Sequence, residues 1–382
     1  MSLHCRVPMV LCAGLVLAAS ATLGAQPAAP AAKAQWYKGQ THCHTLNSDG
    51  DSTPDDVIKW YRQQRYHFLV LSDHDVLTPV AALNAIYGAA SKVSTDPRVT
   101  SNPFLLIPGE EVTDKFVPAP AAGETAVPGR SVAQKEIHLT ALNPREAVVP
   151  QGGSSVADTL QRNINAIRAA SAFPIINHPN LHWSMTAADL GGLRGVKAFE
   201  VWNGGTHTNN HGGAGWPGTE ALWDQVLSAG LLLYGVAADD AHTFKDPSFP
   251  MALTIPGRAW IMVRARELTA DAIVDAMDRG DFYATTGLEL SDYEVTPKSI
   301  SIGIRLKTRF KYDVTFIGRD GRILEKVPVT NDAPAAGAPG GQARSSPPVV
   351  YEIRGDEGYV RAKITDSNGY VAWTQPVLVP AR

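Results

Sequence analysis

Thr41-His42-Cys43-His44-Thr45-Leu46-Asn47-Ser48-Asp49-Gly50 is the stretch that decides how this chain is read. Two histidines stand one residue apart, and an aspartate follows five residues after the second. A helix start comes next, with Thr53 as N-cap, Pro54 at the first helical position and Asp56 three residues after the cap. On a strand, residues i and i+2 share a face. His42 and His44 then converge on one point while Cys43 faces away into packing. Neutral imidazole is the commonest protein metal ligand. Two histidines in a polar loop by coincidence is the competing reading, and the rest of the chain decides between them.

Outward from this stretch the same unit recurs: a short apolar strand, a polar residue at its C-terminal end, then a helical pattern. Trp36 to His42 is the first strand. His67 to Leu71 ends in Ser72-Asp73-His74-Asp75, and Phe104 to Ile107 ends in Pro108-Gly109-Glu110-Glu111. Glu136 to Leu142 carries His138, and Phe173 to Asn177 ends in His178-Pro179. Lys197 to Trp202 ends at Asn203, and Leu231 to Ala238 ends in Asp239-Asp240-Ala241-His242. Helical patterns over Val156 to Ala170 and Thr219 to Ser228 connect strands. Seven strands with mostly helical connections predict a parallel, barrel-like α/β arrangement, whose chemistry sits at the C-terminal strand ends. Nearly every strand delivers His, Asp or Glu there, which neither capping nor solvation explains. A metal site follows.

Beyond about Glu294 the pattern changes to alternating strands separated by turn signals such as Arg319-Asp320-Gly321 and Ser367-Asn368-Gly369. Residues 295–382 therefore read as a small all-β, sandwich-like domain behind a barrel over 36–294. Within it, about 332–348 is rich in Pro, Ala, Gly and Ser and reads as a disordered loop. A second long insertion, Thr113 to Gln134, reads as a lid or a plain surface excursion.

Composition narrows the function classes. The chain has 382 residues, 44% of them hydrophobic and 19% charged, with a net charge of −3. That balance carries no electrostatic footprint for nucleic acid. Residues 1–25 combine Arg6, the apolar run Val7 to Leu17 and small residues up to Ala25, the pattern of a cleaved signal peptide. Residues 26–35 form a small-residue linker. A periplasmic or secreted protein is expected, with no membrane association after cleavage. Cys5 and Cys12 leave with the signal, so Cys43 has no disulfide partner.

Taken in order, His42-x-His44-Thr45 with Ser48-Asp49-Gly50, Ser72-Asp73-His74-Asp75, Gly109-x-Glu111, His138, His178-Pro179 and Asp240-Ala241-His242 resemble the PHP (polymerase and histidinol phosphatase) superfamily. Phe199-Glu200-Val201-Trp202-Asn203, Phe282 to Gly287 and Ala372-Trp373-Thr374-Gln375-Pro376 look like its exported branch, which includes N-methylcarbamate (carbaryl-type) hydrolases. The resemblance implies a distorted seven-stranded (β/α) barrel around two or three divalent metal ions. It places His42, His44, Glu111 and Asp240 at a first ion, and Glu111, His138 and His178 at a second. Asp49, His74 and His242 fall at a third; histidine is common in the family where Asp49 stands. Mixed imidazole and carboxylate ligands suit Zn, Mn or Fe. Glu110 points away from the ions.

Such ions lower the pKa of bound water, so a metal-bridging hydroxide replaces a side-chain nucleophile. The absence of a Gly-x-Ser-x-Gly elbow agrees. Asp73, with Asp75 and Asp239, is a candidate for orienting ligand histidines, or for caps and turns. His182, His207 and His211 are candidate general acids, or solvated loop residues. Trp183, Trp202 and Trp216 are candidate pocket walls, or rim packing. A phosphoesterase acting on a small phosphorylated molecule is the leading expectation, with Lys135, Arg130 and Lys245 as candidate phosphate-facing cations. A carbamate, amide or carboxyl-ester hydrolase is the alternative, and a non-catalytic metal-binding module the third reading.

Overall fold

Local sequence rules account for the helices. In a computed structural model, Thr53 caps helix Pro54–Gln63 by accepting from the Asp56 backbone N at 3.2 Å, with Pro54 in the first turn. Val57, Ile58 and Tyr61 form its buried face. Helix Val156–Ala169 is capped by Ser155 and buries Val156, Leu160, Ile164 and Ile167 at helical spacing. The structure describes residues 1, 33–88, 103–118, 134–213, 215–246, 248, 254–331 and 344–379. The chain divides into two units, Met1–Ala32 and Lys33–Arg382, and the first lies outside the described residues except for Met1. The expected signal peptide and most of the linker therefore fall outside them, as do 119–133 of the long insertion and 332–343 of the Pro/Ala/Gly/Ser loop.

The first ten strands are β1 (Gln35–Gln40), β2 (Phe68–Val70), β3 (Leu105–Ile107), β4 (Gly109–Phe116), β5 (Lys135–Leu142), β6 (Phe173–Ile176), β7 (Ala198–Asn203), β8 (Tyr234–Ala238), β9 (Trp260–Ala265) and β10 (Phe282–Thr285). They are followed by β11 (Leu290–Val295), β12 (Ser299–Leu306), β13 (Lys311–Gly318), β14 (Arg322–Thr330), β15 (Arg344–Ser345), β16 (Val349–Glu352), β17 (Tyr359–Asp366), β18 (Val371–Thr374) and β19 (Val377–Leu378). One sheet runs β14-β13-β17-β18-β10-β9-β1-β2-β3, with β19 on β17; a second runs β4-β5-β6-β7-β8. A third, smaller sheet contains β11, β12, β15 and β16.

This is a mixed α/β fold, not the expected seven-stranded parallel barrel. The reason is visible at Pro108. β3 is followed by β4 after that single residue, with no crossover helix, and proline has no N–H to continue a ladder. β4 then pairs antiparallel with β5, and β5 antiparallel with β6; only β1-β2-β3 and β6-β7-β8 are parallel runs. The sheets do not close into one hydrogen-bonded ring. They do enclose a shared interior, because Tyr37, Phe68 and Ile261 of the first sheet pack in one cluster with Phe173, Ile175 and Val236 of the second. Gly39 makes room for this: a Cβ there would stand 1.9 Å from the Phe68 ring.

The C-terminal strands continue the first sheet through the antiparallel β10–β18 pair. Across from them the third sheet packs Ile300, Ile302 and Ile304 against Val314, Phe316 and Ile364, a face-to-face sandwich. β17 is also tied to helix Thr219–Ser228. Arg361 grips Asp224 with Nε–Oδ1 and Nη2–Oδ2 both at 2.8 Å, and the Tyr359 hydroxyl donates to Oδ1 at 2.7 Å. Arg361 is 1% exposed, so removing one partner leaves a buried charge unpaired. Arg361→Ala is expected to lower unfolding free energy by about 3–5 kcal/mol in urea titration. Arg322→Ala, on an exposed strand position, should change it by about 0.5 kcal/mol or less.

Candidate metal centre

The strand ends carry their polar residues to one place. β1 stops at Gln40, so His42 and His44 lie just beyond the strand, on either side of a one-residue bridge between Cys43 and Ala241. Both rings turn inward. Cys43 turns outward as alternation requires, fully buried, with Sγ donating to Val70 O at 3.3 Å. His74 and Glu111 form the corresponding bridge after β2 and within β4. His138 projects from β5, His178 follows β6, and Asp240 and His242 follow β8.

Glu111 is the hub. Its Oε1 lies 3.3 Å from His42 Nε2, 3.3 Å from His138 Nδ1 and 3.2 Å from His178 Nε2. Its Oε2 lies 3.4 Å from His44 Nε2 and 3.0 Å from His74 Nδ1. Asp240 Oδ1 stands 3.2 Å from both His42 Nε2 and His44 Nε2. Asp49 Oδ1 lies 3.3 Å from His242 Nε2, and its Oδ2 is 3.6 Å from His74 Nε2. All nine residues read from the sequence as ligands are thus brought together. Their potential ligand atoms fall into four overlapping sets: His44-Asp49-His74-His242, His42-His178-Asp240, His42-His44-Glu111 and His74-Glu111-His138. These sets differ from the implied partition by adding His44 to the Asp49 group, His178 to the Asp240 group and His74 to the Glu111–His138 group.

The donor set fits cations. His42 Nε2, His44 Nε2, Glu111 Oε2, both ring nitrogens of His138 and His178 Nδ1 are buried without a hydrogen-bond partner among the described residues. Each such atom costs about 1–3 kcal/mol if left unsatisfied. Electrostatics point the same way. Burial alone would raise the Glu111 carboxyl, but His42 and His138 outweigh it and hold it well below the usual range. Burial would lower His138, yet Glu111 and Glu136 push it up to about 10. Burial dominates at His44 and lowers it to about 4. The cluster favours added positive charge at its centre. Backbone geometry adds to this, since Asp240 (φ 52°) and His178 (φ 21°) both adopt left-handed conformations that most residues avoid.

Glu110 points the other way, as expected. It is buried, accepts from the Val148 backbone N, and is pushed up to about 7 by burial, with Asp75 adding to the shift. Among the described residues, Asp73 makes no hydrogen bond to any of the converging histidines. It accepts from Thr45 N at 2.7 Å and from Ser48 Oγ at 2.9 Å, shaping the loop whose Ser48 Oγ lies 3.4 Å from His44 Nδ1. Asp75 holds Thr113 N, and Thr113 Oγ1 lies 2.6 Å from His74 Nδ1. Asp239 accepts from Tyr61 and from the backbone of Gly257, Arg258 and Ala259.

A carboxylate that does orient one of these histidines is Glu200, whose Oε1 lies 2.7 Å from His42 Nδ1. Its Oε2 accepts from His178 N and Asn203 Nδ2, each at 2.8 Å. Asn203 Nδ2 also reaches Asp240 Oδ2 at 3.2 Å, and Asn177 Nδ2 donates to Glu111 Oε1 at 2.8 Å. The sequence did hold a signal for Glu200: an acidic residue inside an otherwise apolar strand.

Around the centre, His182 Nδ1 lies 3.6 Å from Glu136 Oε1, and Glu136 Oε2 lies 3.4 Å from His138 Nε2. Burial lowers His207, which also feels Asp240, His178 and His242. His211 packs edge-on to Trp202 at 5.1 Å. Trp183 and Trp216 stack at 5.9 Å, and Lys135 Nζ donates to Trp183 O at 2.6 Å. Lys245 is exposed, its backbone N held by Asp51. Arg130 lies outside the described residues.

No family model and no curated protein matches this chain. Among solved structures, the chain is similar to a two-domain protein of Bacteroides vulgatus ATCC 8482 containing a predicted PHP-like metal-dependent phosphoesterase. That alignment covers 93% of this chain and 100% of the other, at 13% identity and a TM-score of 0.41. A candidate metal-dependent phosphoesterase of Bifidobacterium adolescentis ATCC 15703 aligns over 63% of this chain and 96% of its own, at 15% identity and a TM-score of 0.34. Likeness at this level assigns no activity, and the chemistry rests on the side chains described above.

Glu200→Gln should weaken Zn or Mn binding by roughly 10- to 100-fold, measured by competition with a chelating dye, while the fold survives. Affinity should also fall as pH drops, because the ligand imidazoles must be neutral to bind a metal.

Proposed function

We propose that this chain is a metal-dependent hydrolase of the PHP type, acting on a phosphate ester of a small molecule. One observation carries the reading: nine side chains on or following six strands bring their potential ligand atoms together, and in five of them, His42, His44, Glu111, His138 and His178, a buried nitrogen or oxygen has no hydrogen-bond partner among the described residues. His42, His44, Glu111 and Asp240 would hold one divalent ion, Glu111, His138 and His178 a second, and Asp49, His74 and His242 a third. Bound ions of this kind make water acidic enough to act as a nucleophile near neutral pH and polarise the ester oxygen. Glu200 keeps the Nδ1 side of His42 engaged and leaves Nε2 for the ion. Asn177 and Asn203 hold Glu111 and Asp240 in place. His207 is our choice of proton donor to the leaving group, since Asp240 and His242 both act on it, whereas His211 is engaged with Trp202.

A carbamate, amide or carboxyl-ester hydrolase is the second reading. The Trp183–Trp216 stack beside Lys135 supports it, because an aromatic wall suits an uncharged aryl ester. Assays of the Mn- or Zn-reconstituted protein on 4-nitrophenyl phosphate, bis(4-nitrophenyl) phosphate and naphthyl N-methylcarbamate separate the two. Turnover of a phosphate ester is expected, and turnover of the carbamate alone would replace the first reading with the second. His44→Ala and Asp240→Asn should each lower kcat by roughly a hundredfold or more, the scale on which even the partners of metal ligands act. Full metal loading with no turnover of any ester would leave a binding module.

A further inference from the structure

The loop from Asn203 to Gly212 borders the metal centre through His207, and it also walls a separate cleft of about 800 Å³. The opposite wall is the turn Asn368 to Val371 of the C-terminal strands, and Arg258 forms part of the floor. The volume is that of a small-molecule site.

The chemistry of this cleft is the reverse of the metal centre's. Among the described residues, no Asp or Glu lines it. Arg258 is half-buried; its Nη1 donates to Gly204 O at 3.2 Å, and no carboxylate pairs with its guanidinium among the described residues. Two carboxylates behind these walls, Asp239 and Asp366 Oδ1, are turned to backbone, while Asp366 Oδ2 is buried without a hydrogen-bond partner among the described residues. Asp239 is held by the N–H groups of Gly257, Arg258 and Ala259, and Asp366 by those of Asn368 and Tyr370. Lys307 Nζ adds positive charge 5.4 Å from the Tyr370 ring. Two aromatic faces complete the site: Trp202, braced by Trp373 at 5.7 Å, and Tyr370, which is 44% exposed. The Tyr370 hydroxyl has no hydrogen-bond partner among the described residues.

The cleft and the centre are one side chain apart. Asn203 lines the cleft, and its Nδ2 reaches both Asp240 Oδ2 at 3.2 Å and Glu200 Oε2 at 2.8 Å. We propose that this cleft is the subsite for the non-reacting part of the substrate, and that it takes a ring bearing an anionic group. An aryl carboxylate and an aryl phosphate share that chemistry. Arg258 recognises the anion, and Trp202 and Tyr370 receive the ring. The assignment as a substrate subsite rests on the hydrolase reading; the binding of an aryl anion does not.

The test begins with the full chain stripped of metal by a chelator, so that anions have no ion to bind. Calorimetric titration with phthalate, phenyl phosphate and benzyl alcohol then reads the cleft alone. Both anions should bind, and the neutral alcohol should bind on the order of tenfold more weakly or worse, with R258Q losing a similar factor for the anions. Tyr370→Ala, on the other wall, should weaken all three ligands without depending on the Arg258–Gly204 contact. Wild-type affinity in both variants, or equal binding of benzyl alcohol, would overturn the proposal. With metal restored, phthalate should inhibit competitively whichever ester is turned over, and R258Q should raise KM on the order of tenfold while kcat stays within about twofold. Noncompetitive inhibition would overturn the subsite assignment. If no ester is turned over, the hydrolase reading fails, and the metal-free titration still decides the cleft.

Discussion

A single buried carboxylate sets the terms for this structure. Glu111 lies within 3.4 Å of five histidine side chains that come from four different segments. In water such contacts are worth little, but at 1% side-chain exposure the charge must be compensated or the site comes apart. Everything nearby is arranged to do so. Asn177 donates to Oε1, the histidine rings crowd both oxygens, and Glu111 N is itself tied to Asp73 O at 3.2 Å. The remaining unpartnered atoms are the ones a cation would take up.

The same residues that build the centre also join the two sheets. Pro108 breaks the ladder between β3 and β4, and β8 does not pair with β1, so the strands leave gaps on both sides of the interior. Each gap is spanned at the site end by an isolated bridge, His74–Glu111 on one side and Cys43–Ala241 on the other. Around the second, Asp240 N donates to His42 O at 3.0 Å, His44 N to Ala241 O at 2.9 Å and Asp51 N to His242 O at 2.8 Å. A distortion of the sheets would therefore move the converging His, Asp and Glu residues against one another. A cation taken up at the centre would stabilise the folded chain by mass action, and would do so at the point where the sheets meet.

How much of this was legible in the sequence varies with the physics of each feature. The start of the first helix was readable, because Thr53 and Pro54 act within a few residues of themselves. The residues that converge on the centre were readable because strand ends repeatedly carried His, Asp or Glu. The sheet topology was not. A short apolar run such as Leu105–Ile107 looks the same in a parallel barrel and in an open sheet, and only tertiary pairing shows that Glu111 belongs to a new strand. Glu200 stood out in its strand, but its partner was hidden, since Glu200 and His42 are 158 residues apart. Asp73 was more conspicuous in sequence than Glu200, yet its hydrogen bonds go to Thr45 and Ser48 of the neighbouring loop.

Asn203 shows why the two kinds of site sit side by side. β7 ends where its backbone must turn, and Gly204 and Gly205 let the loop pass close: a Cβ at Gly204 would stand 2.7 Å from Asp239 O. That close approach brings the Arg258 turn against the loop and leaves the Asn203 amide facing Glu200 and Asp240. An acidic, histidine-rich interior and a cationic, aromatic cleft are thereby separated by one neutral side chain. Had that position carried a carboxylate, it would have repelled Asp240 and Glu200; a lysine would have competed for the same oxygens with any bound ion. An amide satisfies both carboxylates without adding charge, so the electrostatics of each compartment are set by its own residues.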